Sequence, residues 1–307
     1  MVARSGVDEN GRRSLARLET SLRHLSGFFG GAKASRITTD RVNAYIRDRQ
    51  EEDAAPASIQ KELAALRRAF TLALRTGKVA GIPYIPRVEV RNTRTGFFEA
   101  ADLEAVLAKL PADVRPAVEF AYLTGWRPRS EILPLTWRQV DFRAGVVRLE
   151  PETTKNREGR TFPFDALPRL EALLREQRAH TEAVEKATGQ IIPHVFHLSG
   201  KPIADIRRAW QSACVRAGLG RWKDPEKREG YTGVIPHDLR RSAVRNLERA
   251  GVPRSVAMKL VGHKTESIYR RYAIVAEADL REGVGKLARL NDEAEKGHKR
   301  GTIGGRR

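Results

Sequence analysis

Cysteine is nearly absent: Cys214 is the only one in 307 residues. That excludes an internal disulfide framework and any zinc site built from paired thiolates. Trp210 and Ala217, near it in helical register, mark Cys214 as plainly buried. No apolar run approaches the roughly 20 residues of a membrane span, and the opening Met1-Val-Ala-Arg-Ser lacks the apolar core of a signal peptide. There is no His-Glu-x-x-His pair, no Asp/Asn-rich calcium loop and no Gly-rich phosphate loop ending in Gly-Lys-Ser/Thr. Acidic residues are also in short supply. Asp and Glu number 38 against 57 Lys and Arg, a net charge of +19 with a pI near 10.5. A chain so basic expects a polyanionic partner, with DNA or RNA first, and a cytoplasmic setting.

What is present suggests two domains, mainly α-helical, with one small antiparallel β-hairpin or sheet. The first dozen residues, rich in Gly, Arg, Asp and Asn, read as a loose leader. Leu15, Leu18, Leu22 and Leu25 then recur at helical spacing until Phe28-Phe29-Gly30-Gly31 stops them. Thr38, Thr39 and Asp40 offer caps for a second helix carrying Val42, Tyr45 and Ile46. Pro56 opens a third, with Ile59, Leu63, Leu66, Phe70 and Leu74 on its apolar face and Lys61, Arg67, Arg68 and Arg75 on others. Residues 13–80 thus form a small helical domain. Residues 81–96, with two prolines and several basic side chains, read as an extended linker.

From 97 to about 290 the pattern is again mostly helical, with helices expected near 112–123, 167–187, 203–217 and 237–250 and from Pro253. Residues 142–150 (FRAGVVRLE) and 160–164 (RTFPF) have the β-branched and aromatic richness of strands. Between them Asn156 and Gly159 suit a hairpin with a long tip. Leu280, Val284, Leu287 and Leu290 form an amphipathic last stretch, and the Gly- and Lys/Arg-rich tail 291–307 reads as disordered.

Four clusters in this second domain carry chemically useful side chains. They are TGWRPRSE (124–131), Lys155 at the hairpin tip, PHDLRRSA (236–243) and LVGHKTESIYRRYA (260–273). Taken singly, Arg127 and Arg129 read as solvated loop charges and Lys155 as an exposed turn lysine. His237 and Arg240, three apart, would share a helix face and are as suited to structure as to function, while Arg241 would point elsewhere. Tyr269 and Tyr272 would also share one face, and helical spacing does not choose between them. Together the groups suit a phosphodiester. Arginine forks neutralise phosphate oxygens and the added charge of the transition state, histidine and lysine move protons, and a tyrosine oxygen is a covalent nucleophile. Because the cations are side chains, such a site needs no divalent metal or other cofactor.

In chain order the clusters read T-G-x-R, a hairpin lysine, H-x-L-R, L-x-G-H and a tyrosine nine residues on. This order resembles the tyrosine recombinases, the phage integrase family, over about residues 13–290, with residues 13–80 similar to the family's core-binding domain. The resemblance implies a two-domain DNA clamp and a site-specific recombinase or integrase of a mobile element. Tyr272 would form a 3′-phosphotyrosyl link, Arg127 and Arg240 would hold the phosphate, and Lys155 would protonate the leaving 5′-oxygen. His237 would manage the tyrosine proton and His263 would hydrogen-bond the phosphate. Lys61, Arg67, Arg68 and Arg75 are candidate DNA contacts. The expected partners are double-stranded DNA, a homotetramer on paired sites and an accessory directionality factor, with no membrane. The family usually places an acidic residue three positions after its first arginine. Here Glu131 follows Arg127 by four and Arg129 by two. An inserted residue near Pro128-Arg129 keeps Arg127 in the frame and leaves Arg129 as the lesser candidate. Type IB topoisomerase activity and an inactive DNA-binding remnant are the competing readings.

Overall fold

The computed structural model describes residues 15–90, 96–151, 159–270, 272, 281, 284, 285 and 288. The chain divides into two compact units, Met1–Arg94 and Thr95–Arg307.

The first unit is built on three helices, α1 (Leu15–Phe29), α2 (Thr39–Glu51) and α3 (Pro56–Arg75). The Thr38 side chain accepts from the Arg41 amide at the start of α2, and Pro56 takes the first position of α3, where no amide partner is needed. Leu25, Phe29, Val42, Tyr45, Ile59, Leu63, Leu66 and Phe70 make one core. Inside it Glu62 accepts from the Tyr45 hydroxyl (2.7 Å) and from Arg49 Nε (3.1 Å), so the buried carboxylate is paired. Leu74, expected on the apolar face, is instead 41% exposed, because it sits in the last turn of α3 beside the exposed run Arg75 to Lys78. The segment after α3 is extended, as its prolines require, yet it is packed. Ile85 is buried in the same core, Val79 and Val88 lie against it, and the Val88 amide donates to Gln60 Oε1 (2.8 Å).

The second unit has helices α4 (Ala100–Leu107), α5 (Arg115–Thr124), α6 (Pro168–Thr188), α7 (Arg207–Arg216), α8 (Asp238–Arg249), α9 (Arg254–Val261) and α10 (Glu266–Arg270). A three-stranded antiparallel sheet, β1 (Val140–Asp141), β2 (Val146–Leu149) and β3 (Arg160–Pro163), has Leu149 opposite Arg160. Two further two-stranded ribbons are short, Gly220–Arg221 with Thr232–Gly233 and His197–Leu198 with Lys201–Pro202. The strand expected to start at Phe142 starts at Val146. Asp141 Oδ1 accepts from the amides of Arg143 (3.1 Å) and Ala144 (2.9 Å), and Gly145 has φ 67°, so 142–145 is a turn.

The main core gathers Phe120, Trp126, Phe162, Phe196 and Trp210 between the helices and the sheet. Cys214 is fully buried there, and burial pushes its thiol up to about 12. A smaller core of Val244, Ala257, Val261 and Tyr269 joins α8, α9 and α10. Gly125 ends α5 in the left-handed region (φ 67°) where a Cβ would lie 2.9 Å from Ala243 Cβ and 3.1 Å from Val261 Cγ1. Only glycine allows that close approach of the α5 end to α8 and α9. No helix among the described residues is long and apolar enough to cross a membrane.

Candidate active site

Three chain corners meet where α5, α8 and α9 converge. The first follows Gly125. Pro128–Ile132 forms one wide π-type turn in which the amides of Ile132 and Leu133 reach back five residues, to Arg127 O and Pro128 O. A π-turn is how a helix accommodates one extra residue. It brings Glu131, four positions after Arg127, back onto that arginine. Glu131 Oε2 accepts from the Arg127 amide (2.8 Å) and Oε1 from Arg127 Nη1 (2.5 Å). Arg129, in the same turn, is exposed. Arg127 is therefore the arginine held in the corner, in keeping with the T-G-x-R frame.

Glu131 has a second partner that sequence reading missed. Arg160, the first residue of β3, donates to it through Nη2 (2.9 Å) and Nη1 (3.3 Å) and to Val261 O through Nη1 (2.9 Å). Burial pushes the Glu131 carboxyl up, but the hydrogen bonds from Arg160 and the charges of Arg160 and Arg127 outweigh it and hold it below the usual carboxylate range.

The second corner is the start of α8. Asp238, fully buried, accepts from the Ile235 amide (2.9 Å) and from Arg241 Nη1 (2.7 Å), locking the turn that presents His237. Arg240 is 1% exposed. Its Nη1 donates to Gly125 O (2.6 Å), its Nε to His263 Nε2 (3.0 Å) and its Nη2 to Gly262 O (3.4 Å). Burial and the Arg127 charge lower its pKa to about 9, which still leaves the guanidinium protonated at neutral pH.

The third corner is the end of α9. Gly262 closes that helix at φ 70° and His263 follows, buried. Because Arg240 Nε can only donate, His263 Nε2 must be the acceptor, and a neutral ring then carries its proton on Nδ1. That nitrogen is buried and has no partner among the described residues. Burial, then the charges of Arg240 and Arg127, push His263 down to about 3. The same causes push His237 down to about 4. Both rings are neutral at pH 7.

The two tyrosines do not share a helix face. Helix α10 ends at Arg270, and Tyr272 lies in the turn beyond it, its amide on Tyr269 O (2.9 Å). Tyr269 is fully buried in the small core, where burial first, and then the charge of Glu248 and a side-chain hydrogen bond to it, push its pKa up. Tyr272 is half-buried and its hydroxyl lies 2.8 Å from His237 Nε2. Its ring packs 4.6 Å from the His263 ring, and the guanidinium carbons of Arg240 and Arg241 each lie 5.8 Å from its centre. Arg241, which helical spacing sends away from His237, thus reaches the site through its bond to Asp238.

Arg127, His237, Arg240, His263 and Tyr272 come together. Lys155 lies outside the described residues, as do Arg271, most of 280–290 and the tail from 291. Lys61, Arg68 and Arg75, seven residues apart, form an exposed stripe along α3. Arg67 leaves that stripe: it is partly buried, and its Nη2 donates to Ile85 O (2.5 Å).

Residues 97–279 match the family model described as the phage integrase family. An integrase of Salmonella phage P22 is 28% identical over 206 residues, a match covering 65% of this chain and 49% of that protein; the chain thus spans about half the length of that relative. The tyrosine recombinase XerD of Shewanella oneidensis is 26% identical over 291 residues and 90% of both chains. Among solved structures, a lambda integrase dimer bound to a COC′ core site superimposes with a TM-score of 0.68 at 18% identity, covering 86% of this chain and 89% of that one. The Tn1549 transposon integrase in complex with transposon right end DNA gives 0.70 at 15% identity, covering 94% and 98%. These likenesses carry the fold, and the family match over well over half the chain decides membership: this chain belongs to the phage integrase family, the tyrosine recombinases.

Proposed function

We propose that the protein is a site-specific DNA recombinase that cuts and rejoins DNA through a 3′-phosphotyrosyl intermediate, serving integration or excision of a mobile element. One observation carries the reading: the Tyr272 hydroxyl rests on a neutral His237 with two guanidinium groups beside its ring. A neutral imidazole can take the phenol proton as the oxygen attacks.

In the proposed step Tyr272 Oη bonds to the scissile phosphorus, the bond to the 5′-oxygen breaks, and Lys155 protonates that oxygen. Attack by a 5′-hydroxyl of a partner strand reverses the step and expels the tyrosine. One phosphoester replaces another, so no nucleotide is consumed. Arg127 and Arg240 meet the non-bridging oxygens; the three bonds that Arg240 makes to Gly125, Gly262 and His263 leave two of its five N–H donors for phosphate. His263, whose remaining ring N–H finds no partner among the described residues, supplies a further donor to the phosphate. The stripe Lys61, Arg68 and Arg75 contacts the DNA backbone, the two units close on duplex DNA as a clamp, and four copies act on paired sites in the cytoplasm with an accessory factor setting direction.

The test is a pool of nicked duplexes from the DNA flanking the gene, in which cleavage next to the nick releases a short fragment and traps the covalent complex. An adduct that survives denaturant and is absent from Tyr272→Phe supports the reading. No adduct with any duplex overturns it, and efficient relaxation of a plasmid without paired sites would favour a type IB topoisomerase instead.

A further inference from the structure

Arg160 is a buried, multiply bonded cation of the second unit that has no role in the chemistry above. It is 8% exposed, its guanidinium lies 5.5 Å from the centre of the Trp126 ring, and it shares the charge of Glu131 with Arg127. The Glu131 carboxylate, 2% exposed, receives four N–H donors, two from Arg127 and two from Arg160. Arg160 Nη1 also holds Val261 O, the carbonyl just before Gly262-His263. Gly262 sits so close that a Cβ there would lie 2.3 Å from Arg160 Cζ. One planar group thus touches both the turn that carries Arg127 and the corner that carries His263.

We infer that Arg160 is a positioning residue for strand cleavage: its guanidinium fixes Arg127, through Glu131, in register with the Gly262-His263 corner. Everything it bonds belongs to, or adjoins, a group that meets the phosphate in the reading above, on which this inference rests. Fold stability alone asks less. Both partners of a buried ion pair can often be replaced together by apolar packing at little cost, whereas a planar fork with donors in fixed directions has no apolar equivalent. Lysine keeps the charge but has neither the fork nor the reach to serve both Glu131 oxygens and Val261 O at once. Methionine fills the volume and keeps neither. Removing Arg160 leaves Glu131 buried with Arg127 alone, so that burial draws its pKa upward and protonation releases Arg127.

The experiment uses the full chain and the nicked duplex that traps the wild type, comparing Arg160→Met, Arg160→Lys and Tyr272→Phe. For Arg160→Met the adduct rate at saturating DNA should fall roughly thirtyfold or more, the scale expected when a catalytic group is misplaced by a fraction of an ångström. Half-saturation should stay within about threefold of wild type, because the phosphate contacts of the bound duplex are many. Arg160→Lys should recover part of the rate. The Met variant should also begin to lose rate at a higher pH than the wild type as the solution is acidified, because its buried Glu131 takes up a proton more readily. A folded Arg160→Met that cleaves at the wild-type rate overturns the inference. So does an equal loss in Met and Lys variants with an unchanged pH profile, which marks a structural role only. If Arg160→Met does not fold, Arg160→Lys decides, and a wild-type rate there overturns it. A wild-type chain that traps no duplex sinks the recombinase reading and this role with it.

Discussion

The two site histidines make the DNA-free protein sensitive to mild acid in a way that can be measured without knowing its target. His237 is held near 4 and His263 near 3, by burial first and then by arginine charges, against about 6.5 in an unfolded chain. Their folded pKa values are depressed, so between about pH 6.5 and 4 the unfolded state binds more protons and stability falls as pH falls. Integrating from pH 7 to pH 5, each histidine removes about 2 kcal/mol, and the pair about 4. Urea unfolding followed by tryptophan fluorescence isolates the relevant unit, because all four tryptophans, Trp126, Trp137, Trp210 and Trp222, lie in it. The comparison is wild type against His237→Gln at both pH values. The variant loses the hydrogen bond to Tyr272 at either pH, so the difference in pH sensitivity reports the imidazole alone. That sensitivity should shrink by about 2 kcal/mol in the variant. Equal sensitivity in the two proteins would mean that burial and the arginine charges do not depress His237, and the reasoning from its environment would fail.

Further outcomes are expected for the two tyrosines, the α3 stripe and the Gly125 corner. Tyr272→Phe should abolish the covalent adduct with DNA affinity unchanged in a gel-shift titration. Tyr269→Phe should keep the adduct with only a small change in stability, since its ring stays packed in the small core. Changing Lys61, Arg68 and Arg75 together to glutamine should lower the slope of log affinity against log salt by about 0.9 for each phosphate that is no longer neutralised. Arg67→Gln, by contrast, should leave the slope unchanged and free the segment around Ile85 to proteolysis. Gly125→Ala should cost about 2 kcal/mol or more in the fluorescence assay, from the left-handed backbone together with the overpacked Ala243 contact.

Most of the helices were legible because their signals are local. Pro56 at the start of α3, Gly125 after α5 and Gly262 after α9 act through their own backbone, and the apolar periodicity of each segment names its buried face. Errors came where a neighbour in space or an end effect decided. Leu74 keeps the period yet sits in an exposed last turn, and the strand expected from Phe142 is delayed by a turn that the Asp141 side chain closes. Helical spacing sent Arg241 away from His237, but a bond to the buried Asp238 draws it over Tyr272.

By itself the sequence determined the charge that calls for a polyanion and the order of the motifs, which are properties of composition and of spacing along one chain. The preference for Tyr272 over Tyr269 came from the resemblance to the family, whose tyrosine stands nine residues after L-x-G-H. The tertiary structure alone decided that Tyr269 is core while Tyr272 meets His237, that a wide turn absorbs the extra residue before Glu131, and that Arg160 completes that carboxylate's bonding. The reason is distance along the chain. Tyr272 reaches His237 across 35 positions, and Arg160 reaches Glu131 across 29 and Val261 across 101. Contacts of that range exist only once packing has closed the loops between them, and no local pattern in the residues records them.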